Sequence, residues 1–451
     1  MNNTKKAFVL GMARSGYEAA KFLAGKGYDV IVNDAKTGQS PEQIYELKAL
    51  GVKIVLGSHP EELFDHSFEL LVKNPGIPNT HRYVEKAHTL GVPVINEMEL
   101  AYRYFPTGVK IVGVTGTNGK TTTTTILYKL LKEASKSAYL MGNIGYPICS
   151  FVPRLKAGDI AVMEVSDHQL CNVAQFKTNI SVITNLSEAH IDFHGSYENY
   201  KNVKKRIFNH HTKNDTAILN LDNRDVIDLT KDIRSTKKYF SSRSPNKNGC
   251  SITDGHICYN NEKIIALNEV KIKGRHNYEN AMAAIAAVKE FGVDDSVVVN
   301  VLRAFGGVEH RIEYVDTINN VDFYNDSKST NITSTQIALA SFDRPTILLL
   351  GGLDRGHSFA GLKEYLKNVR LIVAYGETKS RIHDFAVKCQ IPCKVADTLE
   401  EATMAACRSS HPGYVVLLSP ACASWDQFPD FETRGNRFKE YVKNLRPKDV
   451  G

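Results

Sequence analysis

The turn from Gly116 to Thr122 constrains this chain more than any other feature. Gly116, Thr117, Asn118, Gly119, Lys120, Thr121 and Thr122 follow the β-branched run Ile111-Val-Gly-Val114 and lead into helix-compatible sequence. Glycines let successive backbone N–H groups turn towards one anion, and the helix N-terminus adds partial positive charge. In such a turn Lys120 neutralises β- and γ-phosphates and the Thr121 hydroxyl ligates Mg²⁺. The match to G-x-x-x-x-G-K-[ST] is off by position, because Val114 stands where the first glycine belongs and Gly113 and Gly116 flank it. A glycine-rich turn without a ligand is the bland alternative. The order strand, Gly-Lys-Thr, helix favours a triphosphate at the carboxyl end of a parallel strand.

The length of 451 residues allows about three domains. Short apolar β-branched runs alternate with stretches of helical period throughout, so the expected class is α/β, with three domains each built on a mostly parallel sheet. The expected limits are 1–98, 99–308 and 309–451, with Phe105-Pro-Thr-Gly108 as a linker. Strands are expected at 7–10, 29–33 and 70–72 in the first block. They are expected at 109–114, 159–163, 180–184 and 217–220 in the second, and at 321–325, 346–350, 371–375 and 414–418 in the third.

A net charge of +7 suits anionic small molecules as well as nucleic acid, but no Lys/Arg run with interleaved aromatics appears, so nucleic acid is not an expected partner. The apolar stretch Ala7-Phe-Val-Leu-Gly-Met-Ala13 is cut off by Arg14, and no run approaches the ~18 apolar residues of a spanning helix. A soluble, cytoplasmic, monomeric chain without membrane insertion is expected. The eight cysteines are scattered, and Cys389 with Cys393 alone is a weak metal signal, so reduced thiols are the expectation.

Other candidates are weaker on their own. Gly11-Met-Ala-Arg-Ser-Gly16 is a second phosphate-type turn, but Ala13 replaces the central glycine of a dinucleotide fingerprint. Asp34, ending the second strand, could hold a ribose hydroxyl, which favours a nucleotide or nucleotide-sugar over NAD. Glu164 ends an apolar strand, where a carboxylate can complete a Mg²⁺ shell, although a surface glutamate is the alternative. His190 follows another strand, and a lone histidine is more often structural. Lys204 lies in Tyr200-Lys-Asn-Val-Lys-Lys-Arg-Ile207, which reads first as a solvated basic helix face. Asp326-Ser-Lys-Ser-Thr-Asn331 and Ser419-Pro-Ala-Cys-Ala-Ser-Trp-Asp-Gln-Phe428 each follow a strand and could surround a polar substrate, or be no more than caps and turns.

Together these motifs resemble the Mur ligase family of peptidoglycan synthesis over essentially the whole chain. The loop Gly116 to Thr121, Gly142-Asn143-Ile-Gly145, Glu164, His190 and Gly274-Arg-His-Asn-x-x-Asn280 are similar to family-wide features. His310-Arg311 and the motifs at Asp326 and Ser419 are similar to the D-glutamate-adding branch. The resemblance implies a Rossmann-like UDP-sugar domain, a P-loop ATPase-like domain and a Rossmann-like amino-acid domain. It implies ATP-dependent joining of D-glutamate to UDP-MurNAc-L-Ala through an acyl phosphate, with two Mg²⁺ ions. Arg14, Ser15, Asp34, Lys36, Asn74 and Gly76, with Asn143, Ser166 and Gln169, are then candidates for the UDP-sugar. Asn277 and Asn280 would meet adenine, and Arg311 and Asp326 would reach ATP. Lys328, Thr330, Arg355, Ser424 and Phe431 would hold D-glutamate. Thr121 and Glu164 would hold one metal. His190 and a carbamoylated Lys204 would hold the other, with Lys205 one register away. Lys120, His190, Lys204 and Lys328 are the implied catalytic set. The chain departs from the family pattern at Asp167-His168, where a second Ser and an aromatic are expected.

Three rivals follow. Another ligase of the family, or a folylpolyglutamate-type enzyme, would add a different amino acid; the Asp326 and Ser419 motifs argue against it. Ala13 argues against an oxidoreductase, and an intact Lys120, Thr121 and Glu164 argue against a non-catalytic UDP-sugar binder.

Overall fold

The computed structural model describes residues 5–144 and 146–447. The chain divides into two compact units, Met1–Phe305 and Gly306–Gly451, the first carrying two sheets and the second one.

The first sheet contains β1 (Lys6–Leu10), β2 (Asp29–Asp34), β3 (Lys53–Leu56), β4 (Leu70–Lys73) and β5 (Val94–Ile95), in the order β3-β2-β1-β4-β5. All its pairings are parallel. Because both faces are covered, β1 reads as a continuous apolar run rather than an alternating one. Phe8 and Leu10 pack with Phe64, Phe68 and Tyr83 on one face, while Ala7 and Val9 meet Ala20 and Leu23 of helix Arg14–Gly25 on the other.

The second sheet contains β6 (Lys110–Thr115), β7 (Ala138–Gly142), β8 (Ile160–Glu164), β9 (Ile180–Ile183), β10 (Thr216–Asn220), β11 (Thr236–Ser241), β12 (Gly249–Thr253), β13 (His256–Tyr259) and β14 (Glu262–Ala266). Its order is β14-β13-β12-β11-β10-β9-β6-β8-β7, and only the β12-β13-β14 edge is antiparallel. The central strands β6, β8 and β9 are buried almost throughout, so their carboxyl ends are firmly placed. The third sheet, in the second unit, contains β15 (Glu313–Ile318), β16 (Val321–Asn325), β17 (Thr346–Gly351), β18 (Val369–Tyr375), β19 (Cys393–Val395) and β20 (Val415–Leu418). Its order is β15-β16-β20-β17-β18-β19, parallel except for the β15/β16 hairpin.

The apolar runs expected as strands form them to within a residue or two. Weakly patterned strands such as β3, β7, β11 and the β12–β14 edge escape a reading by periodicity. Helix Arg14–Gly25 begins earlier than the turn suggested, so Arg14 and Ser15 belong to its first turn. Among the described residues no helix is long and apolar enough to cross a membrane. The eight cysteines are free thiols.

Candidate active site

The loop after β6 is held by its glycines. Gly116 has φ +143°, and a Cβ there would lie 2.0 Å from Thr184 Oγ1; a Cβ on Gly119 would lie 2.1 Å from Asn280 Oδ1. The loop is pinned to the end of β9: Thr117 N–H donates to the Asn185 carbonyl at 2.9 Å, and Asn118 N–H to Asn185 Oδ1 at 2.9 Å. Those two amides are therefore engaged within the chain. The first turn of helix Lys120–Glu133 is different, because among the described residues no side chain caps it. An uncapped N-terminus leaves its N–H groups for an anion. Lys120 Nζ donates to the carbonyls of Gly116 (2.9 Å) and Thr117 (2.8 Å), so the ammonium lies over the loop. Thr121 is buried in that turn, and Thr122 follows it. Gly116→Ala should cost about 1–3 kcal/mol, from the clash with Thr184. Differential scanning should then show a lower melting temperature and no ATP-induced upward shift.

Asn280, in helix Arg275–Val288, is buried and accepts a hydrogen bond from Thr123 Oγ1 at 3.3 Å, so it backs the loop from behind. Asn277 lies one turn earlier and donates to the Lys273 carbonyl.

Glu164 ends β8, one strand from β6. It is buried rather than a surface glutamate. Its Oε1 accepts from Asn143 Nδ2 at 2.7 Å, and Asn143 N–H in turn donates to the Glu164 carbonyl at 2.9 Å. Its Oε2 is buried with no hydrogen-bond partner among the described residues. A buried carboxylate oxygen without a partner is costly, and a divalent cation would satisfy it. Gly142 permits this approach, since a Cβ there would meet the Glu164 carbonyl at 2.4 Å. Gly145 lies outside the described residues.

The basic stretch around Lys204 corrects the first reading of that helix. Lys204 is fully buried, whereas Lys205 points outwards to Asp232 at 2.7 Å, which fixes which lysine faces inwards. Lys204 Nζ lies 3.6 Å from Asp167 Oδ1, 3.5 Å from Thr115 Oγ1 and 4.7 Å from the Tyr200 ring centroid. Burial, with the Lys120 charge adding to it, brings the Lys204 amine down to about 7. Asp167 and Glu164 oppose that shift.

Asp167 is the hub of this region. Its Oδ2 accepts from His190 Nδ1 (2.9 Å), His194 Nε2 (2.7 Å) and His168 Nδ1 (3.2 Å). Burial alone would raise its pKa, but the histidine bonds and Lys204 hold it well below the usual carboxylate range. His190 sits in the left-handed region at φ 52°, a conformation uncommon for a residue with a Cβ. In the sequence Asp167 stands out only as a departure, and His194 is marked only by the His190-x-x-x-His194 spacing.

Ser166 and Gln169 form a capping box: Gln169 N–H donates to Ser166 Oγ at 3.3 Å, and Ser166 N–H to Gln169 Oε1 at 2.9 Å. At the carboxyl ends of β1, β2 and β4, Asn74 Nδ2 donates to Ser15 Oγ (3.1 Å) and Gly76 N–H to Asn74 Oδ1 (3.1 Å). Asp34 accepts the Met12 and Lys36 amides at 2.7 and 2.8 Å, so its carboxylate orders the turn after β1. Arg14 and Lys36 are exposed beside this cluster.

In the second unit Asp326 directly follows β16, buried, accepting from Ser419 Oγ at 2.7 Å and from Ile312 N–H at 3.2 Å. Arg434, a buried arginine not singled out in the sequence, ties the two motif loops together. It donates to Ser327 Oγ (2.9 Å), the Ser327 carbonyl (2.8 Å) and the Cys422 carbonyl (3.0 Å). Ser327 Oγ reaches the Phe431 carbonyl at 2.8 Å, and Lys328 Nζ lies 5.7 Å from the Phe431 ring. Thr330 N–H donates to the Lys328 carbonyl and Ser424 is buried. Arg311 is exposed, and Arg355 lies over Trp425 at 4.7 Å.

Burial raises the Asp326 carboxyl from 3.8 to about 6. Between those values the folded state holds a proton that the unfolded chain has released, so stability falls as pH rises through that window. Asp326→Asn should flatten this slope in urea midpoints taken between about pH 4 and 6. An unchanged slope would remove Asp326 as its source.

A phosphate-type loop with a buried, unpartnered carboxylate oxygen at the end of the adjacent strand, in a chain of three α/β sheets, is the arrangement of a nucleotide-binding α/β protein. Comparison with known proteins specifies it further. Residues 5–96 match the Mur ligase MurD-like, N-terminal domain, 114–288 the Mur ligase middle domain and 310–422 the Mur ligase, glutamate ligase domain. Proteins named UDP-N-acetylmuramoylalanine--D-glutamate ligase are similar along their full length. The one from Enterococcus hirae is 44% identical over 98% of this chain and 97% of its own. The one from Bacillus subtilis is 43% identical over 97% of each. The UDP-N-acetylmuramate-alanine ligase of Thermotoga maritima shares the fold, with TM-score 0.60 at 20% identity, covering 98% of this chain and all of that one. The chain belongs to the Mur ligase family.

Proposed function

We propose that this protein joins D-glutamate to UDP-MurNAc-L-Ala in peptidoglycan precursor synthesis, at the expense of ATP. The observation that carries this reading is full-length identity of 42–44% with relatives bearing that activity in their names. The substrates are small and the work is assigned to the cytoplasm, by a monomer. The domain limits proposed are 1–98 for the UDP-sugar, 99–308 for ATP and 309–451 for the amino acid.

A carboxylate is a poor acyl electrophile because its leaving group would be oxide. Transfer of the γ-phosphoryl group to the L-alanyl carboxylate gives an acyl phosphate and ADP. The D-glutamate amine then attacks the acyl carbon, and the tetrahedral adduct expels phosphate as the amine proton is lost. Lys120, already over the loop, would neutralise the γ-phosphoryl oxygens as they approach the carboxylate. Thr121 and Glu164 would hold one Mg²⁺, a role supported by the unpartnered Glu164 Oε2. His190 and Lys204 would hold a second. Bound Mg²⁺ offsets phosphate charge in this chemistry.

A neutral amine is what traps CO₂, forming a carbamate and releasing a proton. Burial of Lys204, with its amine brought down to about 7, supports that modification. Asn277 and Asn280 would take the adenine side. Arg14, Ser15, Asp34, Lys36, Asn74 and Gly76, with Asn143, Ser166 and Gln169, would take the UDP-sugar. Lys328, Thr330, Arg355, Ser424 and Phe431 would receive D-glutamate in the second unit.

Phosphate release with ATP, Mg²⁺ and UDP-MurNAc-L-Ala tests the reading across D-glutamate, L-glutamate, L-lysine and meso-diaminopimelate. Release dependent on D-glutamate alone is expected; dependence on another member of the panel would replace the assigned acceptor.

A further inference from the structure

The single tryptophan of this chain stands in water. Trp425 is 64% exposed, although so large an aromatic ring is ordinarily buried or set at an interface. Its backbone is nonetheless fixed. The Ser424 carbonyl accepts N–H bonds from Gln427 (3.1 Å) and Phe428 (2.8 Å), closing a turn around Trp425. Just before it, the chain is bridged to the loop after β17, where Leu353 N–H donates to the Ala423 carbonyl at 3.0 Å. Gly352 lets the two loops meet, because a Cβ there would lie 2.3 Å from that carbonyl. Arg355 follows on the second loop, and its guanidinium carbon lies 4.7 Å from the centre of the Trp425 ring.

The charge of Arg355 is held by that ring and not by an acid. The adjacent Asp354 carboxylate is taken by Arg381 and by the Gly356 N–H at 2.8 Å. Among the described residues no carboxylate pairs with Arg355 itself. An indole face attracts a guanidinium stacked on it without using the N–H donors, which lie in the guanidinium plane. Those donors match a carboxylate, which takes two parallel N–H bonds. An ion pair within the chain would also hold the side chain, but it would occupy the fork. We propose that Trp425 is a positioning residue for Arg355, setting the guanidinium to receive a carboxylate of the incoming amino acid. The inference rests on the D-glutamate reading and adds a residue which that reading does not use. Ser424 is buried and Trp425 exposed, so neighbouring residues of one turn would serve the same substrate in different ways.

Steady-state kinetics of the full chain test this, with D-glutamate varied at saturating ATP, Mg²⁺ and UDP-MurNAc-L-Ala. Trp425→Leu should raise KM for D-glutamate by about three- to thirty-fold, while KM for ATP stays at the wild-type value and kcat falls little. The position is exposed, so the variant should fold. Trp425→Phe, which restores a ring face, should recover most of the loss. In an Arg355→Ala background, Trp425→Leu should lower kcat/KM for D-glutamate no further, because the group it acts through is gone. Wild-type KM in Trp425→Leu, an equal loss in Trp425→Phe, or the same loss without Arg355 would each overturn the proposal. A chain that ligates D-glutamate yet gives any of these results overturns the positioning role alone. A chain with no D-glutamate-dependent turnover overturns the reading beneath it as well.

Discussion

Lys120→Ala is expected to abolish ADP formation, lowering turnover by about 10²–10³-fold or more, while leaving the UDP-sugar bound. Lys120 Nζ is held by two loop carbonyls, so its charge lies where the uncapped turn of helix Lys120–Glu133 presents its N–H groups. Removing it leaves a loop still pinned by Thr184 and Asn185. The fold should survive, and the loss should appear in turnover rather than in the melting temperature. Coupled ADP detection and calorimetry with UDP-MurNAc-L-Ala check both halves. Retained turnover would remove Lys120 from the phosphate role.

Lys204→Ala should be as severe, and its signature is more specific. The side chain is fully buried, its amine is brought down by that burial, and it faces Asp167 and Thr115 rather than solvent. If a carbamate forms there, deleting the side chain removes a carboxylate and leaves space for another. Acetate or formate should then restore activity by roughly ten-fold, incompletely, because an untethered carboxylate lacks the entropic advantage of the lysine stem. A fully active variant, or an inactive one unmoved by small carboxylates, would take the carbamate out of the scheme.

The chemistry of the loop was legible because it is local. Glycines, Lys120 and Thr121 carry their meaning within a few residues, and β6 announces itself as a β-branched run. The buried parallel strands were legible for the same reason: β1, β8 and β17 carry the unbroken apolar runs 7–10, 160–163 and 347–350. Lys204 shows where local reading stops. On its own helix it looks like one of several exposed cations, and its burial depends on Tyr200, Thr115 and Asp167 arriving from elsewhere. Resemblance to a family singled it out; periodicity could not. Arg434 was missed on similar grounds, because its partners Ser327 and Cys422 are 107 and 12 residues away. Asp326 could be seen to follow a strand, but its shifted titration comes from complete enclosure, which no window of sequence contains.

The ligase reading is tested most directly by following oxygen. UDP-MurNAc-L-Ala carrying ¹⁸O in both carboxyl positions is incubated with ATP, Mg²⁺ and D-glutamate, and the products are weighed by mass spectrometry. The account predicts that one ¹⁸O passes to inorganic phosphate and one remains in the new amide, with no product from L-glutamate. Phosphate free of ¹⁸O, or ligation that proceeds equally with L-glutamate, would contradict it.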